Sequence, residues 1–140
     1  MSTYNSIIVD AASDKVWSTL RNFNDMSWGE GIVESVESLN GKGGTEVGAK
    51  RLVNGAIAET LQSFDDDAMA FSYSIDDGPD VLARDKVSGY LGTVRVSPIT
   101  ATGQSFVEWS SDWQSAQGDV KGFCDPLYAG LLGLIAKKFN

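Results

Sequence analysis

The chain has 140 residues, of which 42% are hydrophobic and 21% charged, a length and composition typical of one globular domain, which we place at residues 1–140. Its formal net charge of −8 argues against nucleic acid and against an anionic membrane surface as partners. The sequence contains no histidine and a single cysteine, Cys124, which excludes an internal disulfide, Ser-His-Asp or Cys-His catalysis and a thiolate metal cluster, and we expect neither a metal nor a cofactor.

The first predicted elements are a short strand, Thr3 to Val9, and a helix that starts near Ser13. Ser13 or Asp14 can cap this helix, which ends at Asn24-Asp25. Its apolar residues recur at helical spacing and are Val16, Trp17, Leu20 and Phe23. The N-terminus has no basic region followed by a long apolar stretch, and no later segment is long enough to span a bilayer. We therefore expect a cytoplasmic protein.

Six strand-like segments follow, separated by short turns. They are Ile32–Leu39, Glu46–Val53, Ile57–Phe64, Met69–Ile75, Lys86–Val96 and Phe106–Trp113. The clearest turn signal is Asn54-Gly55, which is typical of a tight hairpin. Strands that are joined by such short turns lie antiparallel beside one another, so these segments predict a meander.

The chain closes with its longest helical pattern, GDVKGFCDPLYAGLLGLIAKKFN. We predict one helix from Gly118 to Phe139 that bends near Pro126, and we keep as an alternative a helix that starts at Asp125-Pro126 with Asp125 as its cap. Lys137 and Lys138 suit the negative end of the helix dipole. The predicted apolar stripe is Val120, Phe123, Leu127, Leu131, Leu134 and Ile135.

This order of elements predicts an α+β fold in which a curved seven-stranded antiparallel sheet wraps around the long C-terminal helix. A sheet that grips one helix leaves space near its open end, where a small molecule can bind. The loop from Asp76 to Asp85 has few apolar residues beyond Val81 and Leu82, so we expect it to be the most mobile part of the cavity rim.

The stretch IAETLQSF, residues 57–64, places a carboxylate on a face that should be apolar. In a strand, Glu59 shares one face with an isoleucine and with Leu61. A buried carboxylate is unfavourable unless it is paired, hydrogen-bonded, protonated or hydrated. Two interpretations stay open: Glu59 contacts water or a ligand, or it forms a structural ion pair with Arg51, which the Asn54-Gly55 turn places diagonally across the hairpin.

The sequence resembles the START/Bet v 1-like helix-grip superfamily along nearly its whole length. The segments that carry the resemblance are DKVWSTLRNFNDMSW, VGAKRLVNGAIAETLQSFDDDAMAFSYSI, GYLGTVRVSPI, SFVEW and YAGLLGLIAKKF. Within the superfamily the sequence is most similar to the bacterial polyketide cyclase/dehydrase-like group, the SRPBCC proteins. The resemblance implies a cavity lined by the inner face of the sheet. Because these proteins differ widely in function, the fold by itself does not assign a reaction.

The sequence is more distantly similar to the plant abscisic-acid receptors, whose pocket carries a glutamate on the strand that matches Glu59. It departs from them at the gate, because its hairpin Val53-Asn54-Gly55-Ala56 lacks their Ser-Gly-Leu-Pro-Ala loop. The resemblance therefore does not imply a hormone receptor.

Alternation along the strands, together with the resemblance, selects the candidate ligand-binding residues. Inward-facing aromatic bodies with a few polar groups are typical of a small-molecule pocket, although aromatic residues at strand spacing are equally typical of a plain core. The candidates are Arg51, Glu59, Leu61, Phe71, Tyr73, Tyr90, Trp109, Ser111, Phe123 and Leu127.

We expect the protein to bind a small, largely hydrophobic molecule, such as an aromatic, polyketide-like or lipid-like compound. The alternative is a cofactor-independent cyclase, dehydratase or isomerase in which Glu59 is the general acid or base and Tyr73 or Tyr90 polarises the substrate. Few convergent titratable groups are predicted, which favours binding. A monomer and a homodimer are both compatible with the sequence, as is a role through a protein partner that meets the Asp76–Asp85 loop.

Overall fold

The structure, a computed structural model, describes every residue from Met1 to Asn140. It contains two helices, α1 (Ser13–Leu20) and α2 (Val120–Lys138), and two single-turn 3₁₀ helices, Ser27–Gly29 and Asp80–Leu82. The nine strands are β1 (Ser2–Val9), β2 (Val36–Ser38), β3 (Lys50–Val53), β4 (Ile57–Asp65), β5 (Ala70–Asp77), β6 (Val87–Ser88), β7 (Leu91–Ile99), β8 (Gln104–Asp112) and β9 (Ser115–Ala116).

Seven strands form one antiparallel sheet in the order β1-β8-β7-β5-β4-β3-β2. The predicted α+β helix-grip fold is thus confirmed, with the C-terminal helix α2 packed on the sheet. Strands β6 and β9 pair separately as a small second sheet. Neither α1 nor α2 combines the length and the hydropathy that a bilayer-spanning helix needs.

The predicted single strand Lys86–Val96 is wrong, because the chain turns between β6 and β7. Gly89 has a φ of 68°, a left-handed conformation that ends the extended strand. Val87 and Ser88 then pair with β9 rather than with the main sheet.

Two further strands are shorter than predicted. The first half of Ile32–Leu39 is a turn, where the Asn54 side chain accepts hydrogen bonds from the backbone of Glu34 and Ser35. Strand β3 begins only at Lys50, after Gly48 with a φ of 94°. In the first place the amides bond to a side chain instead of to a neighbouring strand, and in the second the amides of Glu46 and Ala49 donate to carbonyls three residues earlier.

Helix α1 buries three of its four predicted apolar residues, Val16, Trp17 and Leu20, but its predicted cap and end are wrong. Ala12 occupies the cap position, no side chain caps the helix, and the helix ends at Leu20. The Asp14 carboxylate accepts a hydrogen bond from its neighbour Lys15 instead. The turn that follows α1 still carries Phe23 into the core, where it is 1% exposed.

Helix α2 is continuous through Pro126, so the alternative with a new helix at Asp125 is wrong. The helix starts after Asp119, whose carboxylate accepts a hydrogen bond from the Gly122 amide at 2.9 Å. Its predicted apolar stripe is only partly right, since Phe123, Leu127 and Leu134 are half-buried. The residues that α2 buries are Val120, Cys124, Tyr128, Leu131, Leu132 and Ile135.

Candidate functional site

The β3–β4 hairpin places Arg51 directly opposite Glu59. Val53 pairs with Ile57, so the hairpin loop has three residues, and the first two of them, Asn54 and Gly55, adopt φ values of 55° and 64°. The predicted diagonal relation between Arg51 and Glu59 assumed a two-residue loop and is wrong by one position. A one-residue change in register moves every cross-strand partner.

Arg51 and Glu59 form a buried ion pair. Arg51 Nε donates to Glu59 Oε1 at 2.7 Å, and the two residues are 3% and 6% exposed. Arg51 Nη1 donates to the carbonyl of Phe23, and the guanidinium carbon lies 3.7 Å from the centroid of the Phe23 ring. These contacts hold the guanidinium group in one position, because an edge and a face of its plane are both in use.

The second oxygen of Glu59, Oε2, makes no hydrogen bond to another residue. Asn24 Oδ1 is the one fully enclosed side-chain oxygen or nitrogen without a partner, so Glu59 Oε2 must border open space. Burial raises the pKa of Glu59 above its usual value, and the charge of Asp76 acts in the same direction, while Arg51 opposes both. Glu59 therefore combines a free acceptor atom with an unusually high affinity for a proton.

A chain of hydroxyl groups lies beside this pair. Trp109 Nε1 donates to the Tyr73 hydroxyl at 2.9 Å, and Tyr73 donates to the Tyr128 hydroxyl at 2.8 Å. Tyr128 is hydrogen-bonded to Tyr90, whose hydroxyl donates to the sulfur of Cys124 at 3.5 Å. Burial raises the pKa of all three tyrosines and of Cys124, so these groups stay protonated.

The ion pair and the hydroxyl chain border a cavity between the sheet and α2. Its volume open to water-sized molecules is about 40 Å³, and 13 of its 16 lining residues are hydrophobic. That space holds roughly three waters, at ~10–15 Å³ each, and is well below the ~300 Å³ at which small-molecule pockets begin. The Ile57, Leu82 and Leu127 side chains are part of its wall. The cavity is therefore a small, mostly hydrophobic space with the Arg51–Glu59 pair in its wall.

Five of the ten candidate ligand-binding residues line this cavity. They are Arg51, Glu59, Tyr73, Trp109 and Leu127.

The other five candidates lie outside the cavity wall, and their contact with a ligand stays a prediction. Leu61 and Phe71 are buried in the core, Phe71 beside the rings of Trp17 and Phe23. Ser111 is bonded to Thr3, Tyr90 stacks on Trp113, and Phe123 is half-buried on α2.

Tyr128 was missed at the sequence level, although it connects the other polar groups. Its ring stacks on Trp109 with the centroids 5.0 Å apart, and its hydroxyl joins Tyr73 to Tyr90. Spacings of three and four residues along α2 predict a stripe through Val120, Cys124 and Tyr128 as well as the apolar positions. A stripe chosen for hydrophobicity alone leaves out the one tyrosine and the one cysteine that α2 buries.

Comparison with protein families gives one match that spans the chain. Residues 1–139 match the family described as polyketide cyclase / dehydrase and lipid transport. Among curated proteins, no sequence matches the chain.

Solved structures with the same fold come from several bacteria. A protein from Nitrosospira multiformis, determined in a structural genomics programme, is 36% identical and has a TM-score of 0.97, over 100% of this chain and 97% of that chain. The protein XoxI from Bacillus cereus is 23% identical with a TM-score of 0.82, over 99% and 94%. A protein from Thermobifida fusca is 16% identical with a TM-score of 0.82, over 99% and 92%. The last two likenesses show the fold alone.

Proposed function

Because the chain belongs to the polyketide cyclase / dehydrase and lipid transport family, we propose that it binds a small, largely hydrophobic molecule between the sheet and α2. The observation that carries this proposal is the cavity there, whose wall is mostly hydrophobic and contains one ion pair, Arg51–Glu59. A buried charged pair that borders open space is not needed to fill a sealed core, whereas a binding pocket uses a few polar groups to orient its ligand.

The ligand must enlarge the cavity when it binds. A volume of about 40 Å³ is too small for an aromatic ring, so part of the wall has to move. Leu82 belongs to the loop between β5 and β6, and Leu127 is only half-buried on α2. Leu127 is the simpler of the two to displace because it is already half-buried, whereas Leu82 is 1% exposed and moves only together with its loop.

Native mass spectrometry of the purified protein tests the proposal together with a cavity-filling variant. We expect a bound small molecule that is released on denaturation, and its loss in Leu127→Trp, where the larger side chain fills the site. Leu134→Trp is the matched control, since Leu134 is also half-buried on α2 but does not line the cavity. A ligand retained equally by both variants would place the binding site elsewhere, and the absence of any ligand effect on the melting temperature would contradict binding.

A second function is favoured by the environment of Glu59. A carboxyl group with a raised pKa and a free oxygen suits a general acid or base, as in a cyclase, dehydratase or isomerase. Of the two tyrosines predicted to polarise a substrate, only Tyr73 lines the cavity, and its proton is already donated to Tyr128. If the protein is an enzyme, Glu59→Gln abolishes turnover of its substrate while binding persists. An equal loss of turnover and of binding would instead assign Glu59 to ligand binding and not to catalysis.

A further inference from the structure

The hydrogen bonds of the cavity wall determine which kind of polar group remains available to a ligand. The tyrosine hydroxyls form a chain in which each proton is already used: Tyr73 donates to Tyr128, and Tyr90 donates to Cys124. Because the Tyr90 proton points to sulfur, the Tyr128 proton must serve the bond between Tyr128 and Tyr90. The indole N–H of Trp109 is used as well, since it donates to Tyr73.

The tyrosines can therefore offer a ligand only their oxygen lone pairs. The Glu59 oxygen that borders open space, Oε2, is also an acceptor, and its residue is 94% buried by its 6% exposure. Arg51, the one cation in the wall, directs Nε to Glu59 and Nη1 to the Phe23 carbonyl, which leaves its Nη2 hydrogens without a partner. The wall therefore offers a ligand the free carboxylate oxygen of Glu59 beside a guanidinium group whose charge is already paired.

The charges around the cavity oppose a second carboxylate or a phosphate. Arg51 is neutralised by Glu59, so it offers no net positive charge to an anion. Asp76, next to the wall residue Ile75, adds negative charge that Lys50 offsets only in part, across 4.0 Å and with both side chains partly exposed. The whole chain carries −8, so an anion is also repelled at a distance.

We propose that the cavity selects an uncharged molecule that donates a hydrogen bond, through a hydroxyl or an N–H group, to Glu59, and that it rejects carboxylates and phosphates. This inference rests on the proposed binding function and narrows its ligand class. It separates alcohols, phenols and amides from free fatty acids and phosphorylated lipids, which are equally hydrophobic along most of their length.

Three single-ring probes that differ in one substituent test the ligand class: p-cresol, p-xylene and p-toluate. Each is titrated into the ¹⁵N-labelled wild-type protein while the indole N–H signal of Trp109 is followed by NMR. We expect p-cresol to bind about tenfold or more tightly than p-toluate, as a charge-assisted hydrogen bond replaces a charge repulsion. We also expect p-cresol to bind more tightly than p-xylene, which fills the same space without a donor.

Two variants test whether Glu59 causes this order of probe affinities. Glu59→Gln should reduce the advantage of p-cresol over p-toluate, because the like charge is gone. Glu108→Gln is the matched control, since Glu108 lies on the other face of its strand and accepts a hydrogen bond from the exposed Tyr4; it should leave the ranking unchanged. If Glu59→Gln does not fold, the ranking in the wild-type protein still decides.

The outcomes separate the ligand class from the binding function itself. Binding of p-toluate as tight as that of p-cresol, or p-cresol no tighter than p-xylene, overturns the ligand class while the binding function stands. If none of the three probes shifts Trp109, the cavity does not admit a ring and the proposed ligand class is overturned, while native mass spectrometry of the purified protein still decides the binding function.

Discussion

Arg51 contacts three groups in the interior: the Glu59 carboxylate, the Phe23 carbonyl and the Phe23 ring. Removal of its partner by Glu59→Leu leaves a buried charge unpaired, so we expect a loss of about 3–5 kcal/mol in the free energy of unfolding. The double variant Arg51→Met/Glu59→Leu should recover most of that loss, because a buried pair is often replaceable by apolar residues.

Urea denaturation of the single and double variants measures this coupling. Lys121→Ala is the control, as it removes the exposed partner of Asp125 on α2, and we expect it to change stability by less than about 1 kcal/mol. If the double variant is as unstable as Glu59→Leu, the two side chains act independently and the pair has no structural role.

The pH dependence of stability shows whether burial, which raises the pKa of Glu59, or the charge of Arg51, which lowers it, has the larger effect. The Glu59 pKa in the folded protein is raised by burial, against the pull of Arg51, from an ordinary value of 4.5. The folded state then holds the proton more tightly than the unfolded state. The stability of the wild type relative to Glu59→Gln should therefore fall as the pH rises from 4.5 through the folded-state pKa, and stay level outside that window.

Parallel urea melts of both proteins between about pH 4 and about pH 8 measure this difference. A relative stability that rises with pH across the same window would mean that the ion pair outweighs burial and lowers the pKa.

Gly92 is the residue of β7 that makes room for Tyr73. A Cβ atom at this position would lie 2.4 Å from the Tyr73 ring, which no contact of real Cβ atoms allows. Gly92→Ala should push Tyr73 out of the hydroxyl chain and destabilise the fold by about 1–3 kcal/mol. Gly133→Ala, on α2 with no atom within 4 Å of its Cβ, should stabilise the fold by about 1 kcal/mol. Thermal melts compare the two, and an unchanged melting temperature for Gly92→Ala would contradict the close contact.

At the scale of elements, the segment between β5 and β6 lies between the cavity, which Leu82 lines, and solvent. The Asp77 side chain holds one part of the segment, since it accepts hydrogen bonds from the backbone amides of Gly78 and Arg84, both at 3.0 Å. The Leu82 side chain holds another part by packing into the core, where it is 1% exposed. Asp76 and Asp77, the first two residues of the predicted mobile loop, belong to β5. We expect amides from Gly78 to Asp85 to exchange hydrogen faster than those of β5 and β7, because these residues lie outside the main sheet.

Hydrogen exchange followed by NMR tests this expectation residue by residue. The amide of Arg84 is an internal control, since its bond to Asp77 should protect it relative to its neighbours. Protection across the whole segment equal to that of β7 would count against its movement when a ligand enters.

Among the elements, those with strict alternation were predictable from the sequence. Strand β8 buries Val107, Trp109 and Ser111 on one face, as its pattern predicts. Strand β4 was less predictable, because its register with β5 shifts twice, between Ala58 and Glu59 and again between Leu61 and Ser63. Bulges of this kind depend on the partner strand and leave no periodic signal.

At the scale of the whole molecule, the fold followed from the order of the elements, whereas the state of the site did not. Seven strands and a long C-terminal helix admit few arrangements once short turns force antiparallel neighbours. The ion pair depended on a loop that is one residue longer than its Asn54-Gly55 signal suggests. The size of the cavity depended on side-chain packing from six elements, which a single strand's pattern cannot report.

The position of β1 at the edge of the sheet has a consequence for how the chain is made. Its partner is β8, so Thr3 meets Ser111, 108 positions later. During synthesis β1 emerges from the ribosome before its partner strand. The entropic cost of closing the loop between β1 and β8 arises before the hydrogen bonds between these strands can form. The β1 segment Ile7-Ile8-Val9 stays uncovered until β8 has emerged, and in that interval the nascent chain is most open to aggregation and to chaperones.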